Sequence, residues 1–173
     1  MIRPCNDDDI QDIYEIINDA AKAYKGVIPD DQWHDPYMSR GYLTSEVEDG
    51  VVFQGFVDSD NNLLGVMDIQ EKYDVFLIRH AYVRTLARRQ EIGGQLLQHL
   101  CQKFEKPFLI GTWKAASWAI SFYAKHGFKD VGPKDTARLL KIYWSVPTRQ
   151  IESSIVLADD RWKNDEYLRA ALV

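Results

Sequence analysis

Residues 88–94, Arg-Arg-Gln-Glu-Ile-Gly-Gly, are the part of the sequence best suited to hold an anion. They follow an apolar run at 75–83 and precede apolar side chains at helical spacing over 92–104, so they form a turn between a strand and a helix. The first turn of a helix presents unpaired main-chain N–H groups and the positive end of the helix dipole. The pattern therefore predicts a phosphate site.

Two common phosphate-binding motifs are absent from this turn. It contains no Gly-x-Gly-x-x-Gly, and neither Lys-Ser nor Lys-Thr follows its glycines. By charge alone, Arg84, Arg88 and Arg89 are more typical of a solvated face. Gly93 and Gly94 beside them favour phosphate, because they leave the main chain open to a ligand. We therefore expect a pyrophosphate binder of another kind.

His80, inside the apolar run, and Tyr123, inside a helical pattern at 118–126, are the residues best able to move a proton. A histidine in a strand is more often a hydrogen-bonded core or surface residue, and a tyrosine at this spacing more often packs on a sheet. His34 and His126 are weaker candidates for a base. The four histidines are scattered and have no cysteine neighbours, so no metal site is expected.

The composition is that of one globular domain, because 46% of the 173 residues are hydrophobic and 27% are charged. No run approaches the roughly 18 apolar residues of a membrane helix, and the N-terminal residues lead into acid, so neither membrane insertion nor export is indicated. A net charge of −5 argues against a broad nucleic-acid surface. Cys5 and Cys101 are expected to be reduced thiols in a cytoplasmic protein.

The residues predicted to bind phosphate or to move a proton must be positioned by helices and strands. The hydrophobic pattern predicts both, within a single domain over residues 1–158. The turn residues at 58–62 predict an antiparallel hairpin, and a polar tail with helical potential is expected at 159–173. Helices are predicted at 10–24, irregularly within 29–48, at 92–104 and at 118–126. Strands are predicted at 2–3, 51–57, 63–69, 75–83, 107–110, 128–131 and 151–157.

Two segments resemble the signatures of the GNAT superfamily of N-acetyltransferases. The first is a pyrophosphate loop of the form Gln/Arg-x-x-Gly-x-Gly/Ala, which Arg88 and Gly93 match and in which Glu91 replaces the first glycine. The second is Ala-x-x-Phe-Tyr-x-Lys-x-Gly-Phe, which residues 119–128 match. The resemblance covers roughly residues 2–157 and implies an α/β (α+β) fold. The family has a mixed, mostly antiparallel central sheet flanked by helices, with a central splay between the fourth and fifth strands.

The resemblance implies an enzyme that moves an acetyl group from acetyl-CoA to the amine of a small molecule or peptide, by direct attack in a ternary complex and without a metal. It places a proton donor at Tyr123, and we expect His80 to act as the base, since an alkylamine is protonated at neutral pH. The residues expected to bind acetyl-CoA are Ala81, Tyr82, Val83, Arg88, Arg89, Gln90, Glu91, Ile92, Gly93, Gly94, Ser117 and Tyr123.

The acceptor amine is expected to enter opposite acetyl-CoA, beside the first two helices. Aromatic side chains in these segments suggest an acceptor with an apolar or planar part, and the acidic net charge mildly favours a cationic one. The same side chains are at least as typical of helices that pack on a sheet. The residues concerned are Tyr24, Trp33, His34, Tyr37 and Trp113.

Two positions depart from the family pattern. Glu91 adds a negative charge beside the expected pyrophosphate, and Ala116 stands where the family often has an asparagine, with Ser117 as a substitute. These departures keep open a second interpretation, a non-catalytic acyl-CoA-binding sensor or regulatory module. A nucleotide-binding Rossmann domain is a third, which the missing ribose-binding pattern disfavours. A homodimer is left open, whereas nucleic acid and membranes are not expected as partners.

Overall fold

The structure is a computed structural model that describes residues 1–162. Its strands are β1 (Ile2–Pro4), β2 (Val52–Val57), β3 (Leu63–Lys72), β4 (Val75–Ile78), β5 (Ala81–Val83), β6 (Phe108–Trp113), β7 (Lys129–Asp130) and β8 (Ser154–Ala158). Its α-helices are α1 (Ile10–Ala21), α2 (Arg40–Glu48), α3 (Ile92–Lys103), α4 (Ser117–Lys125), α5 (Pro133–Leu139) and α6 (Thr148–Glu152). The strands are mostly antiparallel and are flanked by helices, so the predicted fold class is confirmed.

The chain divides into two compact units. The first comprises Met1–Glu71 and Ile78–Glu105, and the second comprises Lys72–Leu77 and the residues from Lys106 on. The single domain predicted over residues 1–158 and the splay between strands both stay predictions. Of the predicted polar tail at 159–173, residues 163–173 lie outside the described part of the chain.

In the first unit, β1, β2 and β3 are neighbours in that order, and β5 also pairs with β3. The predicted hairpin between β2 and β3 is confirmed. Its turn is held by the Asp58 carboxylate, which accepts hydrogen bonds from the main-chain N–H groups of Asp60 and Asn62, both at 2.9 Å. Such local bonds are the reason that aspartate and asparagine favour turns.

The start of the first helical segment follows from its polar residues. The Asn6 side chain accepts from the N–H of Asp8, and the Asp9 carboxylate accepts from the N–H of Asn6 at 2.8 Å, which together form a capping box ahead of α1. Ile13, Ile16 and Ile17 then bury one face of α1. The helix predicted at 10–24 is thus α1 followed by a 3₁₀ turn at Lys22–Tyr24.

The strand predicted to run unbroken over 75–83 is instead two strands, β4 and β5, because Arg79 and His80 interrupt it. The carboxylate of Asp68, on β3, accepts from the N–H groups of both residues through the same oxygen, at 2.8 and 3.0 Å. Two successive N–H groups that bind one side chain cannot both join a strand ladder, so the strand bulges. This correction concerns the functional site, because His80 lies in the bulge.

A glycine on β3 determines how closely α3 approaches the sheet. A Cβ atom on Gly65 would lie 2.9 Å from Ile92 Cγ2 and 3.2 Å from the carbonyl oxygen of Tyr82. Real Cβ atoms do not tolerate the first distance, so only glycine allows the first turn of α3 to sit where it does. The position of the predicted phosphate site therefore depends on a residue some 25 positions earlier in the chain.

In the second unit the strand order is β4, β6, β8, β7, and β8 is antiparallel to both β6 and β7. The strand predicted at 151–157 begins only at Ser154, because α6 occupies the residues before it. Residues 133–144, for which no element was predicted, form α5 and a π-helical turn at Leu140–Trp144. Pro133 occupies the first helical turn, where its missing N–H costs nothing.

Candidate active site

The predicted phosphate site is the turn of residues 88–94 that opens α3, here called the phosphate turn. Gln95 donates the first helical hydrogen bond of α3, to the carbonyl of Glu91 at 3.0 Å. The N–H groups of Ile92, Gly93 and Gly94 consequently have no acceptor within the helix. Two of these three residues carry no side chain, so an anion can approach the main chain closely. The geometry suits a pyrophosphate group.

The three arginines near this turn differ in their roles. Arg84 is structural, since it donates from Nη2 to Asp12 Oδ1 and from Nε to the carbonyl of Leu63, both at 2.8 Å. Arg88 reaches the carbonyl of Ala20 at 3.3 Å, and Arg89 is exposed. Arg84 thus ties the turn to α1, which leaves Arg88 and Arg89 as the cations that can meet a phosphate.

Glu91 shows why the family pattern asks for glycine at its position. It has φ 58° and ψ 14°, in the left-handed region, where a side chain costs about 1 kcal/mol relative to glycine. Arg89 is also left-handed, with φ 66°. The Glu91 side chain is exposed, and within residues 1–162 no hydrogen bond or ion pair joins it to Arg88 or Arg89. The departure is therefore one of backbone strain as well as charge.

The main chain of β5 offers hydrogen-bonding groups on the side away from β3. Asp68 N–H donates to the carbonyl of His80 at 3.0 Å, and Arg84 N–H donates to that of Leu64 at 2.8 Å. Because antiparallel bonds alternate along a strand, the main-chain groups of Tyr82 face β3, whereas those of Ala81 and Val83 point away from it. Of the three predicted residues, these two are able to bond an extended ligand through the main chain.

Four of the aromatic residues in the first unit form one cluster. The ring of Tyr24 lies 5.5 Å from that of Tyr37 and 6.5 Å from that of Tyr82, and Trp33 stacks on Tyr37 at 5.8 Å. Burial, and then the neighbouring phenols of Tyr24 and Tyr37, raise the pKa of Tyr82 well above its ordinary value. His34 is exposed and makes no ring contact within residues 1–162, so it stands apart from the other predicted acceptor residues.

His80 is buried, with 8% of its surface exposed, and contacts side chains from three elements. Its Nε2 lies 3.0 Å from Oε2 of Glu46, on α2. Its ring is stacked with those of Phe53 on β2 and Tyr82 on β5, with centroid distances of 6.0 and 6.5 Å. The contact with the Glu46 carboxylate orients one nitrogen of the imidazole, and the two rings pack beside it.

His80 belongs to a set of polar side chains, here called the buried polar network: Glu46, Asp68, Gln70 and His80, which are buried, and Arg79, whose side chain is 10% exposed. Arg79 Nε lies 2.9 Å from the same Glu46 oxygen that meets His80, and Arg79 Nη1 donates to Gln70 Oε1 at 3.0 Å. The network joins α2, β3 and the bulge before β5, so it brings distant parts of the sequence to one point.

The two acids of the network have opposite pKa shifts. Burial would raise the pKa of Glu46, but the hydrogen bond from His80 and the charge of Arg79 outweigh it and lower the pKa below its usual value. Burial dominates at Asp68 and raises its pKa, and Oδ2 of this carboxyl has no hydrogen-bond partner within the described residues. Glu46 is thus ionised at neutral pH, while Asp68 holds its proton more tightly than an exposed aspartate.

Glu46, Asp68 and Arg79 were not predicted as site residues. Asp68 and Arg79 each interrupt an apolar strand pattern, and that interruption was the available signal. Glu46 lies on a short helix with a weak apolar periodicity, so the sequence carries no comparable sign of its burial.

The remaining predicted residues lie in the second unit. Tyr123 on α4 is buried, and its ring meets Phe122 at 5.1 Å and Phe128 at 6.0 Å in edge-on arrangements. Ser117 is the exposed first residue of α4, and Trp113 is the half-buried last residue of β6. The packing of Tyr123 is that of a core residue, so its catalytic role remains a proposal.

Two negative findings apply to residues 1–162. No group of three or more His, Cys, Asp or Glu side chains in this range is arranged to hold a metal ion. None of the helices described there has both the length and the apolar character needed to cross a membrane.

The sequence of the central region agrees with the geometry of the phosphate turn. Residues 49–130 match the family model of the acetyltransferase (GNAT) domain. They include the phosphate turn, the buried polar network apart from Glu46, and α4. No curated protein sequence matches the chain. Over these residues the chain matches a GNAT acetyltransferase domain, the family that its two sequence signatures indicated.

Solved structures share the fold at low sequence identity. The PaiA N-acetyltransferase of Thermoplasma acidophilum in complex with coenzyme A is 18% identical, with a TM-score of 0.67 over 92% of this chain and 97% of that one. The ribosomal-protein-S18-alanine N-acetyltransferase of Escherichia coli is 18% identical, with a TM-score of 0.65 over 92% of each chain. A GNAT family acetyltransferase of Elizabethkingia anophelis with acetyl-CoA bound is 18% identical, with a TM-score of 0.60 over 92% of this chain and 96% of that one.

Proposed function

We propose that the protein is an N-acetyltransferase that transfers the acetyl group of acetyl-CoA to the amine of a small molecule or peptide, by direct attack in a ternary complex. The phosphate turn carries this proposal. Its main-chain N–H groups, its two glycines and the exposed Arg89 would provide an anion site in the segment between β5 and α3. Ala81 and Val83, whose main-chain groups point away from β3, would bond the pantetheine arm in sheet fashion.

The acceptor is proposed to bind at the cluster of Tyr24, Trp33, Tyr37 and Tyr82. The cluster combines ring faces with phenol oxygens, a surface that suits an ammonium group carried on an apolar or planar body. The Escherichia coli relative named above acts, by its name, on the alanine of a ribosomal protein, so the fold accommodates a peptide amine as acceptor in that protein.

His80 is proposed to take the proton of the acceptor. An alkylammonium has a pKa of about 10.4, so exposing its lone pair at pH 7 costs about 4.6 kcal/mol. A base beside the reacting amine recovers part of that cost. His80 immediately precedes the main-chain groups proposed to hold the pantetheine, and a main-chain N–H near Val83 would stabilise the negative charge that develops on the carbonyl oxygen.

Tyr123 is proposed to assist the departure of coenzyme A as a thiolate. A phenol with a pKa near 10 is a weaker acid than a thiol near 8.5, so complete proton transfer is uphill by about 2 kcal/mol. The hydroxyl therefore acts chiefly as a hydrogen-bond donor to the departing sulfur. This role comes from the family signature at 119–128 and is supported by the match of that segment to the family model.

Acetyl transfer is tested by incubating the protein with acetyl-CoA and a library of amines and measuring the released thiol. We expect thiol release that depends on one chemical class of amine. In Tyr123→Phe, turnover should fall by about tenfold or more while the acetyl-CoA Kd changes by less than about threefold. Tyr73→Phe, which removes an exposed phenol, is the matched control and should leave turnover unchanged. Tight acetyl-CoA binding without thiol release for any amine would instead favour a binding module.

A further inference from the structure

The contact between Glu46 and His80 determines which nitrogen of the imidazole carries a proton. Glu46 Oε2 lies 3.0 Å from His80 Nε2, and the Glu46 carboxyl is ionised because its pKa is lowered despite burial. An ionised carboxylate only accepts hydrogen bonds. Nε2 must therefore be the donor, and the neutral ring has its hydrogen on Nε2.

The other nitrogen of His80 is then the basic one. Nδ1 keeps a lone pair in this tautomer, and it has no hydrogen-bond partner within residues 1–162. The ring lies roughly parallel to those of Phe53 and Tyr82, with interplanar angles of 23° and 24°. The main chain of His80 is held as well, because its N–H donates to the Asp68 carboxyl at 3.0 Å, and this helps to position the ring.

We infer that Glu46 is a positioning residue for acetyl transfer, which holds the Nε2–H tautomer of His80 and leaves Nδ1 to take the proton of the acceptor amine. This inference rests on the proposed function. The proton passes from the ammonium nitrogen to Nδ1, and the freed lone pair forms the C–N bond to the acetyl carbon. The C–S bond of the thioester breaks, and coenzyme A leaves as a thiolate that takes up the second proton of the amine. The positive charge that appears on the imidazole is met by the Glu46 carboxylate across the bond from Nε2.

Several other groups face the same ring. Asp68 Oδ2 on β3 lies 4.0 Å from Nε2, and Tyr82 on β5 stacks on the ring. Arg79 pairs with Glu46, and burial, followed by the nearby charge of Glu46, raises the pKa of Tyr42 on α2. A substitution that removes only the charge of Glu46 leaves all of these groups in place.

The test substitution is Glu46→Gln, which keeps an oxygen for Arg79 and His80 but removes the negative charge. We expect kcat to fall by about tenfold or more, with KM for acetyl-CoA changed by less than about threefold. The pH profile of kcat/KM should also differ from that of the unmodified protein, because the imidazolium formed in the reaction loses its anionic neighbour. Glu48→Gln, an exposed glutamate on the same helix, is the matched control. Unchanged kcat and an unchanged pH profile in Glu46→Gln would overturn the inference.

A second measurement uses the unmodified protein. In a long-range ¹H–¹⁵N spectrum of protein labelled at histidine nitrogen, the His80 signals, identified by their loss in His80→Gln, should show hydrogen on Nε2. Hydrogen on Nδ1 would refute the inference, whatever the stability of the variants. This measurement needs no turnover, so a failure of the proposed function, seen as no thiol release with any amine, is distinguishable from a failure of the role of Glu46.

Discussion

The phosphate turn and the buried polar network lie in the same unit but are built in opposite ways. The turn is made of main-chain N–H groups at an exposed helix start, and its side chains are mostly in solvent. The network is made of side chains that are largely removed from solvent and pair with one another, although Asp68 Oδ2 has no hydrogen-bond partner within the described residues. A main-chain site is specified by a short run of residues, whereas a side-chain site is specified by the whole fold.

The two regions also differ in the free energy needed to hold their polar groups in place. Unpaired N–H groups at an exposed helix start are hydrated, so the phosphate turn lowers the free energy of unfolding little when no ligand is bound. A buried charge must be paired and hydrogen-bonded, and removing one partner leaves the other uncompensated. Substitutions in the network should therefore affect stability first, and substitutions in the turn should affect ligand affinity first.

The largest effect is expected for Asp68→Ala. It leaves the buried N–H groups of Arg79 and His80 without their acceptor, at about 1–3 kcal/mol each. The free energy of unfolding should fall by about 3 kcal/mol, measured by urea denaturation. A loss below about 1 kcal/mol would show that the bulge is held by something other than this carboxyl.

Asp68→Asn is the matched control, because an amide oxygen can still accept both N–H groups. It also tests the raised pKa of Asp68. The folded protein binds this proton more tightly than the unfolded chain, so ionisation of Asp68 lowers the free energy of unfolding as pH rises above the ordinary aspartate range. Asparagine lacks that ionisation, so the stability of Asp68→Asn relative to the unmodified protein should increase with pH.

A smaller loss is expected for Gly65→Ala, which connects the two regions. The added Cβ meets Ile92 and the carbonyl of Tyr82, and overpacking of this kind costs about 1–3 kcal/mol. Because the first turn of α3 must shift, acetyl-CoA should also bind several-fold more weakly, as measured by calorimetry. Gly41→Ala is the matched control, since nothing lies within 4 Å of its Cβ, and it should stabilise α2. Equal stability in the two variants would contradict the close approach.

The smallest change in stability and a clear change in affinity are expected for Glu91→Gly. Glycine relieves the left-handed backbone, but its greater freedom in the unfolded chain offsets the gain, so the free energy of unfolding should change by less than about 1 kcal/mol. Removal of the exposed charge should tighten acetyl-CoA binding by about tenfold at low salt and by less at high salt.

Glu91→Gln separates the two causes, since it removes the charge and keeps the backbone strain. If the charge is responsible, it reproduces most of the gain in affinity. A gain seen only with glycine would show that the left-handed backbone, rather than the carboxylate, limits binding.

The phosphate turn could be predicted from the sequence because its determinants are local. The glycines, the arginines and the apolar periodicity of α3 lie within about 20 residues. The hairpin of β2 and β3 was predictable for the same reason, since Asp58 acts on its own turn. The second signature at 119–128 indicated the family, and it lies within residues 49–130, which match the family model.

The buried polar network could not be predicted because its members meet only in three dimensions. Glu46 reaches His80 across 34 positions, and periodicity says nothing about such pairs. The bulge was missed because the apolar run at 75–83 satisfies the pattern of an unbroken strand. Only the side chain of Asp68 on the neighbouring strand overrides that pattern. The left-handed backbone of Glu91 could not be predicted either, because glutamate is not a residue type that favours positive φ.

The hydrogen bonds of Asp68 to two successive N–H groups also fix the register of this segment in the sheet. Side chains of a strand alternate between its faces, so a slip of one residue would exchange His80 and Tyr82 for their neighbours on the opposite face. Such a slip would break both bonds to Asp68 at once. The carboxyl of Asp68 therefore fixes the register in which this segment pairs with β3. The contacts of His80 depend on that register.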